Sequence, residues 1–278
     1  MLYLLLAITS SALVSIIMRL STDRVTRNIG MLSVNYLTCL LTAAVYTGAD
    51  AFTPASSDLP ATIAMGIVHG ALYLFSFVLL QINVQKNGVV LSATFMKLGL
   101  LVPMAVSVLF FREQPHLLQI LGFAMAITAS VLINYEKESR AARSRAGLLL
   151  LLLSGGCADV MAKIFEELGS SAMSDRFLLY TFAAALVLCL ALMAHKRQHP
   201  GAAEFFWGVM IGVPNFFSAK FLLRSLESVS AVIAYPTYSA GTLLVITLSG
   251  VLLFRERLGR RQWIALGIIL AALCLLNM

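Results

Sequence analysis

The stretch FFREQPHLLQILGFAMAITASVLIN, Phe110 to Asn134, returns as LFRERLGRRQWIALGIILAALCLLN, Leu253 to Asn277, at a spacing of 143 residues. The Phe-Arg-Glu triplet near its start and the Asn at its end recur at matching places. A segment that recurs so late in a chain indicates an internal duplication. If each half carries an odd number of spans, the halves enter the bilayer in opposite senses, as in transporters that alternate access around a central site.

The composition is that of a polytopic membrane protein. Hydrophobic residues make up 60% of the 278 residues, charged residues make up 12%, and the mean hydropathy is +0.90. A transmembrane helix requires roughly 20 apolar residues, and runs that are apolar on every face exclude the alternation of an outer-membrane barrel. We predict ten helical spans, at 2–20, 31–49, 60–82, 88–111, 117–134, 147–166, 176–194, 204–224, 229–254 and 262–278.

The predicted fold is an all-α integral membrane protein whose ten transmembrane helices form a 5+5 inverted repeat. The first five-helix repeat covers residues 1–135, a cytoplasmic hinge loop covers 136–146, and the second repeat covers 147–278. A second match supports this division, because Gly66 and Gly70 align with Gly208 and Gly212. Helix 3 therefore corresponds to helix 8.

The net charge of +7 reflects orientation in the membrane and not a nucleic-acid site. The loops on one side hold thirteen Lys and Arg residues, and the opposite face holds three: Arg112, Arg176 and Arg224. Cytoplasmic loops carry the excess of positive charge. We therefore expect a bacterial inner-membrane protein with both termini on the outside. The four cysteines, Cys39, Cys157, Cys189 and Cys274, lack metal or redox spacing and are interpreted as small buried hydrophobic residues.

The segment from Ala234 to Asn277, with its Arg-Glu-Arg-Leu hinge, resembles the drug/metabolite transporter superfamily, and most closely its EamA-like ten-helix branch. The same segment is similar to the last two helices of the small multidrug resistance transporters. The chain departs from these relatives in two ways. Many ten-helix members are drawn with both termini in the cytoplasm. The proton-binding Glu of the small multidrug transporters has no counterpart, because the matching positions are Gly155 and Ser11.

Polar and aromatic stripes on helices 3, 8 and 9 indicate where a substrate binds. The resemblance implies that Tyr235 and Tyr238 occupy the places of ligand-contacting aromatic residues, with Ser92 and Phe95 as their counterparts in the first repeat. Pro236 lies between the two tyrosines and frees a backbone carbonyl. The candidate substrate-binding residues are His69, Tyr73, Phe95, Lys97, Trp207, Asn215, Ser218, Tyr235 and Tyr238.

Charged residues inside spans leave several alternatives open. Asp159 is a candidate proton or cation coupling site, or it neutralises Lys163 one helical turn away. Lys97 lines the lumen as an anion-binding group, or it pairs with a carboxylate such as Asp159. Lys220 is expected to extend toward the membrane surface. His69 forms a hydrogen bond between helices, or it contacts substrate or a proton.

The sequence predicts a secondary transporter, an exporter or exchanger, that moves small amphipathic metabolites or drugs by alternating access. The expected cavity lies between helices 3, 4, 8 and 9. A lipid-linked flippase or a non-transporting membrane scaffold is the alternative. No motif such as GxxxxGK[ST] occurs, so we expect flux to follow a gradient and not to be driven directly by ATP. We expect no enzyme activity, catalytic residue, metal or cofactor, because no convergent set of nucleophile, base or metal ligands is present. The expected partners are a small-molecule substrate and membrane lipid, without nucleic acid, in a monomer or homodimer.

Overall fold

The computed structural model describes residues 1–22, 24–25, 27–48, 58–87, 92, 95–96, 98–133, 144–254 and 259–277. The predicted hinge loop lies outside these residues except at its end. Within the described part the chain forms ten α-helices: α1 Leu2–Ser21, α2 Asn28–Thr47, α3 Leu59–Asn87, α4 Leu101–Leu109, α5 Leu117–Ile133, α6 Arg145–Leu168, α7 Ser174–His195, α8 Ala202–Leu226, α9 Ala231–Phe254 and α10 Arg260–Leu276. The all-α, ten-helix prediction is confirmed.

Seven of the described helices are long and apolar enough to cross a membrane: α1, α2, α3, α6, α7, α8 and α9. A short 3₁₀ turn, Ser171–Met173, leads into α7. Of the fourth predicted span, 88–111, the structure describes chiefly the second half, which contains α4. The large apolar surface of these helices needs no soluble partner, since lipid covers it in a membrane.

The helices form two compact units, and each unit takes segments from both halves of the sequence. Unit 1 comprises Met1–Leu74 and Ile164–Ser225. Unit 2 comprises Phe75–Lys163 and Leu226–Met278. Neither unit is therefore built from one half of the duplicated chain alone.

In unit 1 the duplication is visible as the same helix contact made twice. Gly66 of α3 lies against α7, where an added Cβ would come within 2.7 Å of the Tyr180 Cβ. Its sequence counterpart, Gly208 of α8, lies against α2, where an added Cβ would come within 2.6 Å of the Val34 Cβ. Glycine permits such close backbone approach between membrane helices. The paired glycines are therefore packing positions in both halves.

One turn further along, the second pair of glycines repeats the arrangement. A Cβ on Gly70 would meet the carbonyl oxygen of Thr181 in α7, and a Cβ on Gly212 would lie 2.9 Å from the carbonyl oxygen of Asn35 in α2. The structure thus makes Thr181 and Asn35 equivalent across the repeat. Both of these residues carry polar side chains, and both recur in the functional site below.

In unit 2 the helices α5 and α10, which belong to the two copies of the repeated segment (110–134 and 253–277), pack against each other. Their contact is lined by small side chains, including Ala126, Ala129, Ala265 and Ala272, with Ala240 and Leu243 contributed by α9. The helices α4 and α6 also approach closely, because a Cβ on Gly156 would lie 2.5 Å from the Val102 Cβ. Small residues again set the distance between helices.

The cysteines divide into two classes. Cys39 and Cys189 are buried, as the sequence predicts. Cys157 and Cys274 are exposed on the outer faces of α6 and α10, so their interpretation as buried residues is wrong. An apolar sequence context did not distinguish them, because a membrane helix is apolar on its lipid-facing side as well as in its core.

Candidate functional site

The candidate residues are distributed over both compact units. Unit 1 holds His69, Tyr73, Trp207, Asn215 and Ser218, and unit 2 holds Phe95, Asp159, Tyr235 and Tyr238. Lys97 lies outside the described residues, so both of its predicted roles stay predictions. Phe95 is half-buried.

His69 lies at the contact of α3 and α7 and is 5% exposed. Its Nδ1 is 3.3 Å from the Thr181 Oγ1. The imidazole stacks on Phe177 with ring centroids 5.2 Å apart and an interplanar angle of 7°. The half-buried Tyr73 meets the same imidazole edge-on at 5.5 Å. The helix-to-helix hydrogen bond expected of His69 is present, and the structure brings His69 and Tyr73 together.

Asn215 joins α8 to α2 through a second polar contact. Its Nδ2 lies 3.2 Å from the Asn35 Oδ1 and 3.7 Å from the Cys39 Sγ. The Cys39 Sγ in turn lies 3.2 Å from the backbone oxygen of Gly212. One turn along α8, the buried Ser218 hydroxyl lies 3.5 Å from the backbone oxygen of Ala7 in α1. Asn215 and Ser218 therefore hold unit 1 together and are half-buried and buried, respectively.

Trp207 lies two turns before Asn215 on α8, near the basic connection between α1 and α2. The Arg24 guanidinium lies 5.7 Å from the centroid of the Trp207 ring, which is within the range of a cation–π contact. Phe206 packs edge-on against the same ring at 5.2 Å. Trp207 thus contacts charge at the helix end, whereas the His69 and Asn215 contacts lie further along their helices.

Tyr235 and Asp159 are joined in unit 2. The Tyr235 hydroxyl donates a 2.7 Å hydrogen bond to the backbone oxygen of Asp159, and the Tyr235 side chain is fully buried. Asp159 itself is half-buried, and so is Tyr238. Tyr235 therefore ties α9 to α6 through the Asp159 main chain, and the Asp159 carboxylate takes no part in that bond.

The helix α9 also carries buried hydroxyl groups that form no hydrogen bond within the described part of the chain. In a helix a Ser or Thr hydroxyl normally bonds a carbonyl three or four residues earlier, as Thr247 of α9 does with the Leu243 oxygen at 2.7 Å. Five buried hydroxyls in the described part of the chain have no partner at all: Ser76, Ser107, Thr237, Ser239 and Thr242. All five belong to unit 2, and three of them lie in α9 next to Pro236.

A small cavity in unit 2 adjoins one of these α9 hydroxyls, that of Ser239. It is lined by α5 residues such as Phe123 and Ser130, by Leu98 and Leu100 before α4, and by Pro236 and Ser239 of α9. The open hydroxyl of Ser239 therefore borders a space inside unit 2. The cavity has room for about one water molecule. Buried polar groups in native proteins are nearly always satisfied by protein, water or ligand, so the space beside Ser239 is suited to a water molecule or a single small polar group.

Sequence reasoning missed an ion pair between Glu113 and Lys163, both in unit 2. The Lys163 Nζ lies 3.0 Å from the Glu113 Oε1, and the Lys163 side chain is 3% exposed. Glu113 also accepts hydrogen bonds from the backbone N–H groups of Ala231 at 3.3 Å and Val232 at 3.1 Å, at the start of α9. The Lys163 ammonium additionally lies 5.7 Å from the Phe111 ring centroid.

These contacts affect the pKa of Glu113, which lies in the connection between α4 and α5. Burial raises the pKa of this carboxyl. The hydrogen bond and charge of Lys163, with the N–H groups of Val232 and Ala231, outweigh burial and hold the pKa below its ordinary value. Glu113 is therefore a carboxylate that caps α9 and neutralises a buried lysine. The Phe-Arg-Glu repeat contained Glu113, but nothing in the repeat signalled its partner.

Lys220 does not extend alone toward the membrane surface as predicted. Its Nζ lies 2.7 Å from the Asp175 Oδ1 in the first turn of α7 and 3.7 Å from the centroid of the Tyr46 ring. Phe216 stacks on Tyr46 and lies 5.8 Å from the same ammonium. The lysine is therefore held within unit 1 by an ion pair and aromatic rings. Among the described residues no group of three His, Cys, Asp or Glu side chains could hold a metal ion.

Comparisons with known proteins agree with this architecture. The model of the EamA-like transporter family matches the chain twice, at residues 1–135 and 145–278. An uncharacterized protein of Haemophilus influenzae is 23% identical over 224 residues, which is 78% of this chain and 75% of the relative. A solved structure described only as the crystal structure of a protein has a TM-score of 0.74 at 14% identity, and covers 99% of this chain and 98% of its own. That likeness concerns the fold alone.

Proposed function

Since the chain belongs to the EamA-like transporter family, and so to the membrane transporters of the drug/metabolite superfamily, we propose that it is a secondary exporter or exchanger of small amphipathic metabolites or drugs. Transport would proceed by alternating access, for which two oppositely inserted halves are suited. The lack of a phosphate-binding GxxxxGK[ST] motif in the sequence supports a gradient, and not ATP, as the energy source.

We further propose that the protein lies in the bacterial inner membrane with both termini outside. The support is the distribution of Lys and Arg, thirteen against three between the two sets of loops. Arg24 and Arg27 belong to the basic side. Lys163 and Lys220 lie within helices, where each forms an ion pair with an acidic residue. These two buried lysines therefore add no free charge that would reverse the orientation.

The observation that best supports a substrate site is the set of buried hydroxyls in α9. Ser239 and Thr242 lie one turn apart on the same side of the helix as Tyr238, and their hydroxyls have no partner within the described chain. An amphipathic ligand would pack its apolar part on aromatic and aliphatic side chains and satisfy these hydroxyls with its polar group. Tyr238, which is half-buried, is a better contact residue than the fully enclosed Tyr235.

In the same proposal Asp159 is the coupling residue of unit 2. Its carboxylate is half-buried in the span α6, where an acidic group normally faces a wet cavity or a charged partner. Lys163, the neighbour that was expected to neutralise it, makes its ion pair with Glu113. Lys163 thus has a carboxylate partner other than Asp159.

The proposal is tested by ligand stabilisation of the purified protein. A thermal-shift screen against amino acids, nucleosides, quaternary amines and organic acids identifies a ligand, because binding to the folded state raises its stability by mass action. The ligand is then titrated against Ser239→Ala and Thr242→Val. We expect each variant to weaken binding by about tenfold, the value of one hydrogen bond.

Thr247→Val is the matched control, because it alters the same helix at a hydroxyl already satisfied by Leu243. It should leave ligand affinity unchanged. Equal weakening by Thr247→Val and by the other two variants would contradict a ligand site at the open hydroxyls, since the effect would then come from α9 packing in general. A screen in which every class leaves the transition unmoved would count against small-molecule transport.

A further inference from the structure

The hydrogen bonds around His69 determine which nitrogen of its ring carries the proton. The Thr181 hydroxyl lies 2.8 Å from the backbone oxygen of Phe177 and 3.3 Å from the His69 Nδ1. A hydroxyl has one hydrogen to donate and two lone pairs to accept. The shorter distance assigns that hydrogen to the Phe177 carbonyl, four residues earlier in the same helix. The Thr181 oxygen is therefore left as an acceptor toward His69.

An acceptor opposite Nδ1 requires a hydrogen on Nδ1. The ring is almost completely buried, and burial without a paired charge favours the neutral imidazole over the imidazolium. A neutral imidazole carries one hydrogen, so placing it on Nδ1 leaves Nε2 as an unprotonated acceptor. Thr181 thus fixes the tautomer of His69 in the way that a carboxylate or carbonyl fixes metal-binding histidines.

The orientation of the ring is fixed as well. Phe177 covers one face of the imidazole, and Phe165 stacks behind Phe177 at 4.1 Å with an interplanar angle of 10°. Tyr73 packs edge-on against the imidazole. Gly70 allows α3 to approach α7 so closely that its Cβ position is occupied by the Thr181 carbonyl. Nε2 is therefore presented in one direction by a rigid aromatic setting.

The described part of the chain gives Nε2 no hydrogen-bond partner, although Nδ1 has one. Nε2 is not among the fully enclosed atoms that lack a partner, so it is open to a donor that the described chain does not itself supply. We propose that His69 Nε2 accepts a hydrogen bond from the substrate, and that the transported molecules carry an N–H or O–H donor on an apolar or aromatic body. This inference rests on the proposed transport function and names the chemical class that it would select.

The tautomer can be measured without any ligand. In protein labelled with ¹⁵N-histidine, the His69 signals are identified by their loss in His69→Asn. We expect the Nδ1 signal of a protonated nitrogen and the Nε2 signal of an unprotonated one. Thr181→Ser should keep this pattern, and Thr181→Val should change it, because valine removes the acceptor. A proton on Nε2 in the unaltered protein would overturn the inference, whatever the outcome of transport assays.

The acceptor role is tested with probe pairs that differ only in the donor. Phenol is compared with anisole, and cyclohexanol with methoxycyclohexane, in titrations that follow the Nε2 signal. We expect phenol and cyclohexanol to shift Nε2 and to bind roughly tenfold more tightly than their methyl ethers. His69→Asn should retain the bond to Thr181 through its amide N–H and lose this preference.

Each outcome of the titrations counts for or against the proposal. Equal responses to alcohol and ether, or an Nε2 signal that responds to neither, would mean that only water satisfies this nitrogen, and would overturn the substrate role. The tautomer pattern would survive that result. Failure of the transport proposal is recognised separately, as a protein that exhibits the donor preference in binding but moves no donor-bearing compound across vesicles.

Discussion

The buried Lys163 and the half-buried Glu113 form an ion pair whose carboxylate also caps α9: the ammonium lies 3.0 Å from the Glu113 Oε1, and the backbone nitrogen of Val232 lies 3.1 Å from its Oε2. One side chain in a short connection thus stabilises the end of α6 and the start of α9. The cost of removing it is therefore larger than that of a surface glutamate.

We expect Glu113→Gln to destabilise the protein by about 3 kcal/mol, because it leaves the Lys163 charge buried without its partner. The double variant Glu113→Gln with Lys163→Met should recover most of that loss. Chemical or thermal unfolding in detergent measures both. The exposed Glu227→Gln makes the same chemical change as a control and should be neutral. No recovery in the double variant would mean that the helix cap, and not the ion pair, dominates.

The same carboxylate should give stability a dependence on acid pH. Because the pKa of Glu113 is lowered by folding, its contribution is fully present above the unfolded pKa of about 4.3 and is lost as the pH falls through the lowered folded pKa. Melting temperatures of the unaltered protein and Glu113→Gln should therefore differ at neutral pH and converge in strong acid. A difference that stays constant across the range would disprove a charged Glu113.

The repeated glycine contacts predict matched effects in the two halves. Gly70→Ala and Gly212→Ala each force a methyl group into occupied space, at the Thr181 carbonyl and 2.5 Å from the Thr38 Cβ. We expect each to cost about 1–3 kcal/mol. Gly267→Ala meets no atom within 4 Å and should be neutral or stabilising by up to about 1 kcal/mol through helix propensity. Unfolding measurements in detergent compare all three.

Asp159 and Tyr235 can be separated because their bond uses the Asp159 main chain. Asp159→Asn should preserve the 2.7 Å bond and the fold, while abolishing pH-driven transport if this carboxylate carries the proton. Tyr235→Phe should lower stability by about 1 kcal/mol and leave the pH response intact. Transport by proteoliposomes under an imposed pH gradient distinguishes them. Undiminished pH-driven flux in Asp159→Asn would assign coupling elsewhere.

Orientation is predicted from the distribution of charge. A reporter fused after Met278 should be active on the periplasmic side, and one inserted at 136–145 should be cytoplasmic. The paired insertions serve as mutual controls, since each enzyme reporter is active on only one side. Cytoplasmic activity at both positions would reject the assignment of the termini.

Much of the fold could be predicted because membrane helices are read from local sequence. Apolar runs predicted ten spans, and the alignment of Gly66 with Gly208 predicted that helices 3 and 8 correspond. In the structure these two glycines make equivalent helix contacts. The grouping of helices into units that mix both halves could not be predicted in this way. Hydropathy identifies a transmembrane span, but it contains no information on which other helices that span packs against.

The candidate site was harder to predict for the same reason. Glu113 was visible as a repeated residue, but its partner lies in another helix and is identified only by tertiary packing. Lys220 was expected to extend outward because it lies near the end of a predicted span, whereas Asp175 reaches it from α7. His69 and Tyr73 were correctly grouped, since they lie one turn apart on one helix.

The mixing of both halves within each unit also bears on how the protein is made. The ribosome delivers helices in order, so every segment of unit 1 is available once Ser225 has been synthesised. In unit 2, α5 must wait in the bilayer for α10, its main partner, through the synthesis of four intervening α-helices. A polypeptide that terminates before α10 would leave that small-residue face of α5 open to lipid, and to the quality-control proteases that act on orphaned membrane helices.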